Sequence, residues 1–337
     1  MNRPHILIIC PYTQAANNGN WQTAQRWATM LDERYEVTIA QDWDGHPCDA
    51  MLALHARRSA PAIARWAQTK TSNSTSANTH ALGLGVVMTG TDLYRDIHVD
   101  ASAQASLQAA QILLVLQERA PAALPLACRH KVRVIFQSTQ VSPFQDAANK
   151  IDLGRKNFRV VMVGHLRAEK APETLFAAAH LLRSHAAMSF VHIGAALDPE
   201  LGAAAQACAL ANPNYQWLGG LPHQEALAQI QQAHLLVHAS HMEGGAHAIL
   251  EAVCAGTPVL ASDIDGNIGM LGDDYAGYFK VGNAHSLVDL LLQCSADFPN
   301  DTYRRLEQQC DQRAPLFSPA AEKARLQQLV EELLSAT

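Results

Sequence analysis

No two cysteines of this chain stand in C-x-x-C spacing, and the seven present (Cys10, Cys48, Cys128, Cys208, Cys254, Cys294 and Cys310) are scattered and odd in number. That argues against a disulfide framework or a thiolate zinc site and leaves most of the thiols as reduced core residues. Nowhere do roughly 20 apolar residues run together, so no membrane-spanning helix is expected. The apolar stretch Ile6 to Cys10 is too short for a signal peptide and has no small-residue cleavage site, which makes the cytoplasm the expected location. An excess of positive charge is also missing. The formal net charge is −6, so no diffuse basic surface offers itself to nucleic acid, and any anionic ligand must be met locally.

What is present is the composition of an ordinary globular enzyme, 48% hydrophobic and 17% charged. At 337 residues the chain exceeds what one core comfortably holds, so two domains are expected. Short apolar, β-branched runs alternate with helical patterns, the rhythm of parallel sheets covered by helices. In the first half the predicted strands are His5 to Cys10, Glu36 to Ala40, Ala50 to Leu54, Gly85 to Met88, Ile112 to Leu116 and Arg133 to Phe136. Between the first two, Trp21, Ala24, Trp27, Ala28 and Leu31 make one apolar helix stripe. The rhythm restarts with strands Phe158 to Val163, Ser189 to Ile193, Gln216 to Leu218, Leu235 to His238 and Val259 to Ala261, and a helix Pro172 to Ser184. The polar stretch Gln137 to Arg155 reads as the linker, and Thr69 to His80, rich in Ser, Thr and Asn, as an exposed loop or lid. The expected organisation is an α/β chain with domains at 1–150 and 151–318. The amphipathic helix within 319–337 is expected to pack back on the first domain.

The segment most suggestive of chemistry runs from Ser240 to Ser262: strand end, glycine turn, helix, glycine stop, strand. Gly244 and Gly245 allow a ligand close to the backbone, and the following helix start offers N–H groups and positive dipole to an anion. Glu243 precedes that helix and Glu251 lies within it. Upstream, Val161 to Lys170 (VMVGHLRAEK) is a strand followed by a loop carrying His165, Arg167 and Lys170. In the first half, Cys10 to Trp21 follows the first strand and opens a helix, while LHARRSA (residues 54–60) and MTGTDLYRD (residues 88–96) stand at strand ends. Ligands of open α/β sheets bind at such ends. Asp92 reads equally well as a base or as a helix cap. His234, His238, His241 and His247 suggest a metal, but no carboxylate completes a set, and no metal is assigned. The tryptophans read as core or rim residues.

The Glu243 to Glu251 segment resembles the E-x7-E signature of GT-B glycosyltransferases, the large group that includes glycogen and sucrose synthases. The similarity runs through most of the second half. It implies two Rossmann-like domains with parallel sheets facing across a cleft, and a sugar nucleotide held mainly by the second. In that group an arginine and a lysine meet the nucleotide diphosphate. Lys170 matches the lysine, whereas His165 stands at the arginine position and Arg167 follows two residues later. The resemblance makes Lys170, Arg167 and Glu243 the catalytic set. It makes Gly19, His165, Gly244, Gly245, Ala246, His247 and Glu251 the donor-binding set, with Glu251 on the ribose and Glu243 on the sugar hydroxyls. Leu218 to Leu227 is similar to the turn beside the nucleobase, and Asp263 to Met270 to the loop after the E-x7-E helix.

Together, LHARRSA, MTGTDLYRD, GHLRAEK and MEGGA narrow the resemblance to selenosugar synthases, which join selenophosphate to a hexose from a UDP-sugar. Asn18, Asn20, Arg57, Arg58, Thr91 and Asp92 are then the acceptor-binding candidates, with at least one of the two arginines expected to pair with a surface carboxylate. Selenophosphate is anionic at neutral pH, so it needs cations to hold it rather than a strong base. The expected partners are a UDP-sugar (glucose or N-acetylglucosamine) and selenophosphate, with no cofactor beyond the donor. Rival readings keep the fold but change the acceptor to a lipid, thiol or small metabolite, or make the chain a sugar-nucleotide epimerase or a non-catalytic sensor.

Overall fold

Strands that are apolar on both faces belong inside parallel sheets, where helices cover each side. Those of this chain form two such sheets. The computed structural model describes residues 3–13, 19–71, 81–143 and 147–335. Asn18 and most of the Thr69 to His80 stretch lie outside the described residues. By internal contacts the chain divides into one unit of Met1–Ser138 with Ser318–Thr337 and another of Thr139–Phe317. The division falls between Ser138 and Thr139, within the polar stretch Gln137 to Arg155. The expected polar linker is partly regular, because residues Ala147–Lys156 form a helix that belongs to the second unit.

The first sheet comprises β1 (His5–Ile9), β2 (Glu36–Ala40), β3 (Ala50–Leu54), β4 (Leu84–Val87), β5 (Ile112–Val115) and β6 (Val132–Val134), in spatial order β2-β1-β3-β4-β5-β6. The second comprises β7 (Phe158–Val163), β8 (Met188–Ile193), β9 (Tyr215–Trp217), β10 (Leu235–His238), β11 (Val259–Ser262) and β12 (Tyr278–Phe279), in order β12-β11-β10-β7-β8-β9. Every neighbouring pair is parallel. β3, β4 and β5 are buried at every position, whereas the edge strand β2 alternates with solvent. β12, only two residues long, is too short to show a pattern in the sequence.

Each order has one place where the winding direction reverses, between β1 and β3 in the first sheet and between β7 and β10 in the second. Loops leaving neighbouring strands at such a reversal run to opposite sides and open a crevice at the carboxyl ends. The segments of interest leave from these strands. The 10–19 and 55–59 stretches follow β1 and β3, and the 164–170 and 239–247 stretches follow β7 and β10.

The last helix, Pro319–Ser335, belongs to the first unit. Its Leu326, Leu329, Val330 and Leu333 share a core cluster with Ile6, Ile8 and Trp27. Of the predicted stripe on helix Gly19–Leu31, Ala24, Trp27 and Leu31 are buried and Trp21 and Ala28 partly so. Glu322 fixes how the two helices meet. Its carboxylate accepts from Arg26 (2.9 and 3.1 Å), Trp27 Nε1 (2.7 Å), and the Ser138 N–H and hydroxyl (2.8 and 2.5 Å). A side chain with no exposure could not carry this charge without such donors. Glu322→Ala strands Arg26 and the Trp27 N–H, and is expected to cost roughly 3 kcal/mol. The urea midpoint checks this, and a shift worth less than about 1 kcal/mol contradicts the assignment.

Candidate active site

In the second unit, β7 ends at Val163 and the chain turns through Gly164 and His165 into a short 3-10 turn, Ala168–Lys170. The turn at Gly164 is possible because the neighbouring loop yields. A Cβ on Gly194 would stand 1.9 Å from the Gly164 carbonyl oxygen, so only glycine fits there. The stem of Lys170 then lies across Gly164. The Glu169 carbonyl accepts from the His241 N–H at 2.9 Å, tying this loop to the one after β10. The result is an ion pair, with Lys170 Nζ 2.5 Å from Glu243 Oε1 and both side chains largely buried, 17% and 10% exposed.

Ser240 Oγ also donates to Glu243 Oε1, at 2.6 Å. Burial pushes the Glu243 carboxyl upward. The Lys170 charge, the charge His238 takes on at acid pH, and the hydrogen bonds from Lys170 and Ser240 outweigh it and hold the group down at about 2. His238 Nε2 lies 3.5 Å from the same oxygen, and burial, opposed by the Glu243 charge and aided by that of Lys170, lowers that imidazole to about 4. At neutral pH His238 is therefore uncharged and Lys170 is the cation that matters. Neither ring nitrogen of His238 makes a hydrogen bond of good geometry, although Asn267 lies close enough to act on the ring as a hydrogen-bond partner.

Behind this loop the backbone is crowded. A Cβ on Gly266 would stand 2.2 Å from the Glu243 carbonyl oxygen. Residues 263–270, expected as a loop, are mostly the short helix Asp265–Leu271. Gly244 and Gly245 stand before the helix rather than in it. Helix His247–Cys254 begins after Ala246, which supplies no side-chain cap. It ends in a Schellman turn: Gly256 adopts φ +69°, Thr257 N–H donates to the Ala252 carbonyl and Gly256 N–H to that of Val253. Inside it, Glu251 is 6% exposed and receives His223 Nε2 at 2.7 Å. That contact raises the His223 pKa. His223 lies in the turn likened to the nucleobase contact, but only the structure joins it to Glu251.

The predicted residues in this unit thus separate. Lys170, Glu243 and the Gly244 to Ala246 turn come together, while Glu251 sits one helix turn on with His223. Arg167 is 48% exposed and faces Glu169 at 4.0 Å. His165 is exposed and accepts the Ala195 N–H at Nδ1, 3.1 Å. Desolvation and the charges of Arg167 and Lys170 lower its pKa.

In the first unit, Gly19 begins its helix with open space where a Cβ would stand, and its carbonyl accepts from Thr23 Oγ1 at 2.7 Å. Asn20 follows it in the first helical turn, half-buried. Asp92 does neither of the jobs expected of it. It is fully buried and accepts from the N–H groups of Ala56 (2.9 Å) and Arg57 (3.3 Å) and from Thr89, so it cannot reach an acceptor or cap a helix. It also lies 2.6 Å from His55 Nδ1. His55, part of the LHARRSA segment but not among its acceptor candidates, holds φ +75°, a strained angle for a non-glycine residue. Asp92 pins that turn. His55 Nε2 contacts the Thr91 hydroxyl at 3.4 Å.

Of the two adjacent arginines, Arg57 pairs with buried Asp96 at 3.2 Å, which Arg95 also meets. Arg58 is exposed, 5.0 Å above the Tyr12 ring centre. Among the described residues His55, Asp92 and Asp96 bring candidate metal-ligating atoms within 4.8 Å of one another, not the four histidines considered in the sequence. Two arginines already neutralise Asp96, and the cluster reads as an ion-pair network.

Two Rossmann-like units, with a cation and two glutamates at the reversal of the second sheet, define a GT-B glycosyltransferase. The sequence pattern of the family described as Glycosyl transferases group 1 matches residues 144–313, half of the chain, and the chain belongs to that family. Among solved structures, sucrose-phosphate synthase from Thermosynechococcus elongatus is similar at TM-score 0.74 and 17% identity, over 99% of this chain and 100% of that one. A glycosyltransferase from Rickettsia africae gives 0.72 and 14%, over all of both chains. HepE from Anabaena, solved with UDP and glucose, gives 0.67 and 17%, over 99% and 100%. These likenesses establish the GT-B fold. Among the described residues no helix is long and apolar enough to cross a membrane.

Because two backbones meet at Gly266, Gly266→Ala is expected to displace the Glu243 loop at a cost of roughly 1–3 kcal/mol. Thermal unfolding and nucleotide titration of that variant check this. A fully stable variant with unchanged nucleotide affinity contradicts the close approach.

Proposed function

We propose that this chain transfers a hexose from a UDP-sugar to the selenium of selenophosphate, the C1–Se bond forming as UDP departs, and that water then cleaves the Se–P bond to release phosphate and leave a 1-selenosugar. The donor half of the reading rests on one observation above the others, the Lys170–Glu243 pair at the β7/β10 reversal. A departing nucleoside diphosphate gathers negative charge. A preorganised ammonium and the start of helix His247–Cys254 stabilise it where it forms. Glu251 uses one oxygen for His223 and offers the other to a ribose hydroxyl. The Gly244 to Ala246 turn lies along the diphosphate, His247 and Glu243 face the sugar, and His165 and Arg167 border the donor. HepE of Anabaena, whose fold this chain shares, was solved with UDP, with UDP-glucose, and with UDP and glucose, which supports a uridine nucleotide.

The acceptor half rests on the motifs of the first unit. Arg58 is the cation left for an acceptor phosphate, because Arg57 shares Asp96 with Arg95. Asn18, Asn20 and Thr91 supply the neutral contacts. A selenium already anionic needs no base, which suits a site whose obvious carboxylate, Asp92, is sealed inside the fold. The Arg57–Asp96 pair also favours a second reading, in which the same donor site serves a less charged small-molecule acceptor.

Purified protein incubated with UDP-glucose or UDP-N-acetylglucosamine, with and without selenophosphate or thiophosphate, separates the two by mass spectrometry of the products. UDP release that depends on selenophosphate is expected, and release indifferent to it removes the acceptor assignment. In the same assay Lys170→Ala is expected to slow turnover by about a hundredfold. Glu251→Ala is expected to weaken UDP binding about tenfold, the equivalent of ~1.4 kcal/mol. Unchanged kinetics in both variants contradicts the donor site.

A further inference from the structure

We propose that Glu243 is the counter-ion of Lys170 until a diphosphate arrives, and that His238 is the positioning residue that takes over the Glu243 carboxylate when Lys170 turns away. The inference rests on the donor reading above and adds what happens to the pair on binding. Lys170 reaches Glu243 Oε1 at 2.5 Å, and a diphosphate, carrying more negative charge than one carboxylate, draws the ammonium toward itself and loosens that contact. A buried carboxylate abandoned by its cation needs another donor, and Ser240 alone remains at 2.6 Å.

His238, at the end of β10, is 2% exposed, and its Nε2 stands 3.5 Å from the same oxygen, just outside good hydrogen-bond range. Neither ring nitrogen makes a hydrogen bond of good geometry; among the described residues Asn267 is the one side chain besides Glu243 close enough to act on the ring as a hydrogen-bond partner, which leaves Nε2 to face Glu243. A small shift of either side chain closes the gap, with the ring hydrogen on Nε2. The ring is neutral at physiological pH. It therefore donates without adding a second charge, and Glu243 stays ionised to hold a sugar hydroxyl while Lys170 serves the phosphates.

The test compares His238→Phe with His238→Gln, whose amide nitrogen stands near the imidazole Nε2 position, and uses Lys170→Ala as reference. Each is read by UDP titration, by KM and kcat for the donor, and by thermal melting. His238→Phe is expected to raise the UDP Kd and the donor KM about tenfold with kcat changed less than about threefold. His238→Gln is expected to restore most of the affinity. If Lys170→Ala weakens UDP binding but His238→Phe does not, the handover is wrong and the donor reading stands. If Lys170→Ala leaves UDP binding intact, the donor reading fails and takes the handover with it. Should His238→Phe and His238→Gln lose melting temperature and affinity alike, the histidine is structural and the proposal is overturned.

Discussion

A carboxylate withdrawn from water must be met by a cation or by a full set of donors, and that requirement organises the second unit around Glu243. Its partner Lys170 is 73 residues away in sequence. The two meet because β7 and β10 are neighbours in the sheet and both loops leave from its carboxyl edge. Glycines make the approach possible from two sides, Gly194 under the Lys170 loop and Gly266 against the Glu243 backbone. The cation proposed for catalysis is thus also part of what holds the unligated loops together.

The first unit solves a similar problem differently. Asp92 holds a strained turn at His55 by accepting from consecutive backbone N–H groups, and Glu322 ties the last helix to the first through five donor contacts. Both are buried acids, and each fixes the course of backbone that carries exposed polar residues. Gln137, beside the Ser138 contact of Glu322, donates to Thr23, whose hydroxyl in turn donates to Gly19. The helix start at Gly19 is thereby linked to the chain just before the second unit begins.

Much of this fold can be read from the sequence because buried parallel strands are short apolar runs, and eleven were placed within about a residue or two of those observed. The twelfth, Tyr278–Phe279, has no periodicity to find. Lys170, Glu243, Glu251 and the glycine turn were visible for a local reason: each lies in a contiguous strand–loop–helix signature. The pairings His55–Asp92, Arg57–Asp96 and His223–Glu251 were not, since each joins segments 28 to 39 residues apart with nothing in the spacing to announce it. Asp92 illustrates the difficulty. An aspartate after a strand looks available, and only the folded turn at His55 to Arg57 shows that its oxygens are taken. His238 reads in the sequence as a possible metal ligand, whereas in the fold its distinguishing feature is Nε2 standing 3.5 Å from the Glu243 carboxylate.

The central claim is that a nucleoside diphosphate and Glu243 compete for the same ammonium. A crystal structure of the protein with UDP tests it most directly. The account predicts phosphate oxygens within about 3 Å of Lys170 Nζ, the Lys170–Glu243 contact lengthened, and the uridine ribose on Glu251. UDP bound elsewhere, with Lys170 still seated on Glu243, contradicts it.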